Sequence, residues 1–238
     1  MRPGNWSDLT LDASSPSALA GAFERERPAA VFFCSYSKSD RAITVDAPRQ
    51  AARLAARHGA RFVFFSTDLV FDGQRGQYAE DALVTPVLPY GALKAEAEAQ
   101  VRVENPEAVI IRSSLLVGES GILLRPEYEC GLMMRGQPAT LYTDEWRSPT
   151  HVDDVARAAW GLVSTDVAGL YHVAGPERLS RVELGRILCT MFRFDPGLVR
   201  EGPRPAERPR DTSLNCARVA ALLGWAPGSL RAPAAAGV

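Results

Sequence analysis

The hydrophobic positions of this chain fall into two patterns, unbroken apolar runs and runs spaced at helical intervals, and the two alternate from the start. Residues 15–23 (Ser-Pro-Ser-Ala-Leu-Ala-Gly-Ala-Phe) combine a serine cap, a proline at the first helical position and helically spaced apolar residues, which predicts a helix. Residues 29–34 (Ala-Ala-Val-Phe-Phe-Cys) show no alternation, as expected of a strand covered on both faces of a parallel sheet. An Ala/Arg/Leu-rich helix over 47–58 should stop at Gly59, which suits a left-handed cap. A second buried strand is predicted at 61–67, a third helix at 90–103 and a third buried strand at 108–114. Strands and helices alternating at this spacing predict right-handed βαβ units and a doubly wound, Rossmann-type parallel sheet.

Past Gly118 the pattern loosens, with Pro126, Gly131, Gly136 and Pro138 scattered through it. That shift predicts an α/β domain over residues 1–118 and a smaller, mainly substrate-binding lobe over 119–238. Within the lobe, helices are expected at 152–163, at 181–192 behind a Ser180/Glu183 capping box, and at 215–223 before Gly224. The tail from residue 231 should fray, and no internal repeat is seen.

Composition narrows the function classes. A chain of 238 residues, 46% hydrophobic with net charge −1, can bury a core unaided and lacks the basic excess of a nucleic-acid binder. Four dispersed cysteines (Cys34, Cys130, Cys189, Cys216) form no CxxC or zinc-type pattern, so a reduced, cytoplasmic setting is expected. Neither a signal-peptide core nor the roughly 18 apolar residues of a membrane span is present. His58, His151 and His172 have no partner at metal-ligand spacing, so no metal is expected; His58 reads as a helix-end cation and Asp153-Asp154 as helix-start carboxylates.

In an open α/β sheet, ligands gather at the carboxyl ends of strands, and Ser66-Thr67-Asp68 stands at the end of the second strand. These residues suit either a ligand site or a turn closed by side-chain-to-backbone bonds. Tyr90 and Lys94 lie four residues apart, on one helix face, where an ammonium can favour phenolate and make tyrosine a usable acid or base. The bland alternative is a solvated face, yet Lys94 and Lys38 are the only lysines among 27 basic residues. Arg204, Arg208 and Arg210 suit either a nucleotide diphosphate or a solvated loop.

In series, Phe65-Ser66-Thr67-Asp68-Leu69-Val70-Phe71-Asp72-Gly73, Glu80-Asp81, Pro86, Pro89-Tyr90-Gly91 and Lys94 resemble the extended short-chain dehydrogenase/reductases. Within that superfamily they are similar to the dTDP-4-dehydrorhamnose reductases and related sugar-nucleotide reductases. Arg112-Ser113-Ser114, residues 147–156, 169–175 and 208–214 extend the likeness. The resemblance implies NADP or NAD as cofactor and a nucleotide-sugar substrate. It implies that Thr67 holds the substrate carbonyl oxygen, Tyr90 exchanges its proton, and Lys94 binds the nicotinamide ribose and tunes Tyr90. Asp12 and Ala13 would lie beside adenine, Cys34, Ser35 and Tyr36 under the cofactor, and Ser66, Asp68 and Arg147 with Thr67 around the substrate.

The chain departs from that pattern in one large respect. Neither G-x-G-x-x-G nor G-x-x-G-x-x-G occurs in it, so the glycine-rich cradle for a pyrophosphate is missing. An N-terminally incomplete sheet is therefore expected, with the apolar strand at 31–34 left as an open edge. An upstream start, a second chain supplying the unit, and a non-catalytic relative all account for this. The last would be a nucleotide-sugar-binding or regulatory subunit like those that attach to methionine adenosyltransferase. Self-association into a homo-oligomer is a further expectation of the open edge. Leu69 and Leu115 replace expected aromatics, Thr44 lies near the superfamily's usual asparagine, and Tyr36 and Lys38 are bulky for a cofactor floor.

Overall fold

The computed structural model describes residues 11–118 and 129–231. The terminal segment expected to fray lies outside them apart from Arg231. In the first half, α1 (Pro16–Glu26) begins where Ser15 Oγ accepts the Ala18 amide hydrogen, as the serine-proline pair predicts. β1 (Ala30–Phe33) leads through a π-helical turn, Ala42–Asp46, into α2 (Ala47–His58), which ends on Gly59 at φ 67°. β2 (Arg61–Thr67), α3 (Pro89–Glu104) and β3 (Val109–Ser113) complete the expected βαβ series.

The second half begins with β4 (Leu116–Val117), α4 (Glu129–Met134), β5 (Ala139–Tyr142), β6 (Trp146–Arg147) and β7 (Thr150–His151). α5 (Val152–Val163), β8 (Gly169–His172), β9 (Leu179–Ser180), α6 (Arg181–Phe192), β10 (Val199–Gly202) and α7 (Ala217–Leu223) follow. Both bonds of the Ser180/Glu183 capping box are present.

The main sheet is parallel throughout, in the order β1-β2-β3-β8. Because neighbouring residues on a strand face opposite sides, the apolar runs at β2 and β3 feed two cores. Phe62, Phe64 and Ile110 pack with α1, α2 and α3, while Val63, Val109 and Ile111 pack with residues of α5 and α7. The sheet does not stop near residue 118: β8, a four-residue strand, pairs with β3. A strand this short, opened by Gly169, gave no periodic signal of its own. Paired β5 and β10, with α6 against them, build the smaller lobe around Leu184, Leu188 and Ala139.

Among the described strands β1 pairs only with β2, so its other edge is open. Beside that edge a groove of about 270 Å³ is lined by Ala13, Leu19, Phe23, Val31 and Phe33. Phe32 stacks on Trp160 of α5 with ring centroids 5.8 Å apart, and Trp160 remains 59% exposed. Among the described residues no helix is long and apolar enough to cross a membrane.

Candidate functional site

The carboxyl end of β2 meets the start of α3. Thr67 closes a 3-10 turn, Asp68–Val70, its Oγ1 accepting the Leu69 amide at 3.2 Å. Gly91 sits in the first turns of α3 against that turn, and a Cβ there would come within 2.0 Å of the Leu69 carbonyl oxygen. The glycine between Tyr90 and Lys94 is thus what lets the helix approach Thr67 so closely. Gly91→Ala is expected to push α3 away at a cost of about 1–3 kcal/mol, read as a lower denaturant midpoint.

Tyr90 is half-buried at the mouth of this junction, whereas Lys94 is buried. Lys94 Nζ donates to the Phe65 carbonyl at 2.8 Å and lies 4.6 Å from the centre of the Phe64 ring. Burial pulls its amine down to about 8, with Glu98 and Cys34 acting in the opposite direction. Tyr36 joins the pair: its ring lies 5.9 Å from that of Tyr90 and 5.8 Å from Lys94 Nζ. Through Tyr36 the segment after β1 therefore reaches the Tyr90/Lys94 face. Cys34 and Ser35 are exposed there.

Other candidate residues are engaged with the protein itself. Asp68 is fully buried; its carboxylate accepts from Ser114 Oγ at 2.6 Å, Thr212 Oγ1 at 3.2 Å and two nitrogens of Arg147. Burial would discharge Arg147, but Asp68 and Glu145 hold it above arginine's ordinary value. Glu145 in turn takes both ends of Arg208, at 2.6 and 2.9 Å, so this arginine is tied to the lobe. Arg204 Nη1 donates to the carbonyls of Pro205, Ala206 and Arg208, and Arg210 lies 5.2 Å from the Trp146 ring. Ser66 Oγ donates to Glu98. Asp12 is exposed in a turn and accepts from Ser14 N and Oγ, while Ala13 packs against the core beside the groove. Thr44 is buried and bonded in both directions to the Ser37 backbone, at 2.6 and 2.9 Å.

A buried network missed by the sequence reading runs behind the junction. Glu98 pairs with Arg112 at 2.9 and 2.7 Å, and Arg112 Nη1 faces His172 Nε2 at 3.5 Å. The traceable signal was Glu98 itself, an acid on the apolar side of α3 between Ala97 and Val101. His172 reads as isolated in sequence but is buried, with Nδ1 3.0 Å from the Tyr78 carbonyl. Desolvation and Arg112 push it down to about 3. The folded state thus refuses a proton that the unfolded state accepts below about 6.5, so stability falls as pH drops from there toward 3. His172→Gln is expected to lose that component, about 1.4 kcal/mol per pH unit, in urea unfolding at pH 7 and pH 4.5.

At α5 the cap is His151 Nδ1, which accepts the Asp153 amide at 3.3 Å, with Asp153 and Asp154 in the first turn. His58 ends α2 and lies 3.6 Å from Glu24. Among the described residues no group of three His, Cys, Asp or Glu is arranged to hold a metal. A cavity of about 760 Å³ lies along residues 72–85, but Thr67, Tyr90 and Lys94 do not line it. For a nicotinamide cofactor the residues fit in part. A buried ammonium and a tyrosine on one face suit its ribose end, and no glycine cradle for a pyrophosphate stands among the described residues.

The profile of the RmlD substrate binding domain matches residues 9–236. The chain belongs to this family. A probable low-salt glycan biosynthesis reductase of Haloferax volcanii is 30% identical over 199 residues, covering 79% of this chain and 66% of the relative. The methionine adenosyltransferase 2 subunit beta of Bos taurus is 30% identical over 195 residues, 76% of this chain and 58% of that protein. The chain therefore spans 58 to 66% of these two curated relatives. The dTDP-4-dehydrorhamnose reductase of Bacillus anthracis, solved in complex with NADP, shares the fold at a TM-score of 0.80 and 24% identity, over 92% of this chain and 83% of that one.

Proposed function

We propose that this chain carries the catalytic face of an NAD(P)-dependent reductase acting on a keto group of a nucleotide-activated sugar. The observation that carries this reading is the buried Lys94 beneath half-buried Tyr90, held against the Thr67 turn by the close approach at Gly91. The Bacillus anthracis structure with NADP and the glycan reductase of Haloferax volcanii support it by likeness. Thr67 Oγ1 holds the ketone oxygen, and Tyr90 gives its phenolic proton to that oxygen as the bond to carbon becomes single. Lys94 binds the ribose hydroxyls and favours the phenolate left behind. When bound, the nicotinamide supplies the hydride. Ser66, Asp68 and Arg147, engaged with Glu98 and with one another, serve by fixing Thr67 rather than by touching the sugar. Cys34, Ser35 and Tyr36 floor the nicotinamide side, and Asp12 and Ala13 flank the adenine through their backbone.

The open edge of β1 is where a strand, glycine-rich turn and helix would complete the pyrophosphate cradle, supplied upstream or by a second chain. The reduced thiols of Cys34, Cys189 and Cys216 suit a cytoplasmic setting. The test is NADPH or NADH oxidation with a dTDP-4-keto-6-deoxy sugar, for the chain alone and for the chain joined to such a unit. Turnover is expected from the completed form. A completed form that binds cofactor and reduces no keto sugar would overturn the reading.

The second reading, a nucleotide-sugar-binding or regulatory subunit without turnover, is favoured by the likeness to methionine adenosyltransferase 2 subunit beta and by the missing glycine motif. Co-purification of this chain with a methionine adenosyltransferase catalytic subunit, with no effect of Tyr90→Phe, would select it.

A further inference from the structure

The buried acid of α3 does more than neutralise an arginine. A carboxylate at 1% exposure is costly unless each oxygen is partnered, and Arg112 alone could meet that need. Instead Glu98 Oε1 accepts from Ser66 Oγ as well as from Arg112 Nε, and Oε2 from Arg112 Nη2. Ser66 is the neighbour of Phe65, whose carbonyl accepts Lys94 Nζ. Two successive turns of α3 are thereby stitched to two successive residues of β2. We propose that Glu98 is a positioning residue for the Tyr90/Lys94 pair, fixing the stretch of β2 that holds Lys94 and supplying the buried negative charge that keeps its amine an ammonium.

The surroundings of Lys94 leave most of that task to Glu98. Tyr90 comes from the first turn of α3, and Tyr36 and Cys34 from the segment after β1. Desolvation raises the Cys34 thiol above its ordinary value, and of the two groups that hold the Lys94 amine up against burial Cys34 contributes less than Glu98. Arg112 of β3 lies beyond Glu98 and binds it, and His172 of β8, behind Arg112, stays neutral. The inference deepens the reductase reading and rests on it for its purpose, whereas its test does not depend on turnover.

Because Lys38 and Lys94 are the only lysines, selective ¹³C labelling at lysine Cε gives two signals, assigned with Lys38→Arg and titrated in the full chain. In Glu98→Gln the Lys94 midpoint is expected to fall by about one pH unit or more while Lys38 holds, and Glu98→Asp should restore part of it. Should Glu98→Gln unfold with Arg112 left unpaired, Glu98→Gln/Arg112→Met removes both buried charges, and a smaller fall of the same sign is expected. A Lys94 midpoint unchanged in either folded variant overturns the proposal. Failure of the reductase reading would show separately, as a completed chain without turnover whose Lys94 midpoint still follows Glu98.

Discussion

Asp68→Asn will cost the fold about 3–5 kcal/mol, because it leaves the Arg147 guanidinium buried without its main counter-charge. The Glu145 carboxylate, 3.5 Å from Arg147 Nη1, is already bound to Arg208 and compensates only in part. The damage should reach beyond one bond, since Asp68 follows β2 while Arg147 lies in β6 and Thr212 precedes α7. Asp68 therefore fastens the smaller lobe to the end of the sheet where Thr67 stands. Equilibrium urea unfolding measures the loss. Asp68→Asn/Arg147→Met, which removes both charges, should recover much of it. A single variant within about 0.5 kcal/mol of the parent would mean that this pair is not holding the two parts together.

Tyr90→Phe, made in the form completed with a glycine-rich unit, will slow ketone reduction by ~10² or more with little change in cofactor affinity. Only the hydroxyl is lost, and the ring can still pack against Tyr36. Lys94→Arg is the companion case. A planar guanidinium cannot occupy the compact site between the Phe65 carbonyl and the Phe64 ring, so cofactor affinity and rate should fall together. Steady-state rates and a cofactor titration on both variants separate the two roles, and undiminished turnover in Tyr90→Phe would remove Tyr90 from the chemistry.

Much of the architecture was legible because each strand from 29 to 114 is an apolar run bounded by helical spacing and by residues with a stated local role, Ser15 and Gly59 among them. β8 was not legible by pattern: four residues with a glycine at the start carry too little periodicity, and only pairing with β3 makes them a strand. The same contrast holds at the site. Tyr90 and Lys94 could be found because helix geometry fixes what four residues of separation means. Ser66, Asp68 and Arg147 could be placed near the site, yet not assigned a partner, since those partners lie 32 and 79 residues away along the chain. Glu98 and His172 were passed over for the same reason; their shared partner, Arg112, lies 14 and 60 residues away along the chain.

The stack of Phe32 on Trp160 makes the open edge of β1 optically visible. Trp160 is bound to the sheet on one side and wetted on the other, so its emission will respond to whatever covers that side. A strand and helix arriving at β1 would take water from the indole and shift its fluorescence to the blue, whereas an event confined to the Tyr90 face would leave it unmoved. The molecule thus carries its own reporter of assembly.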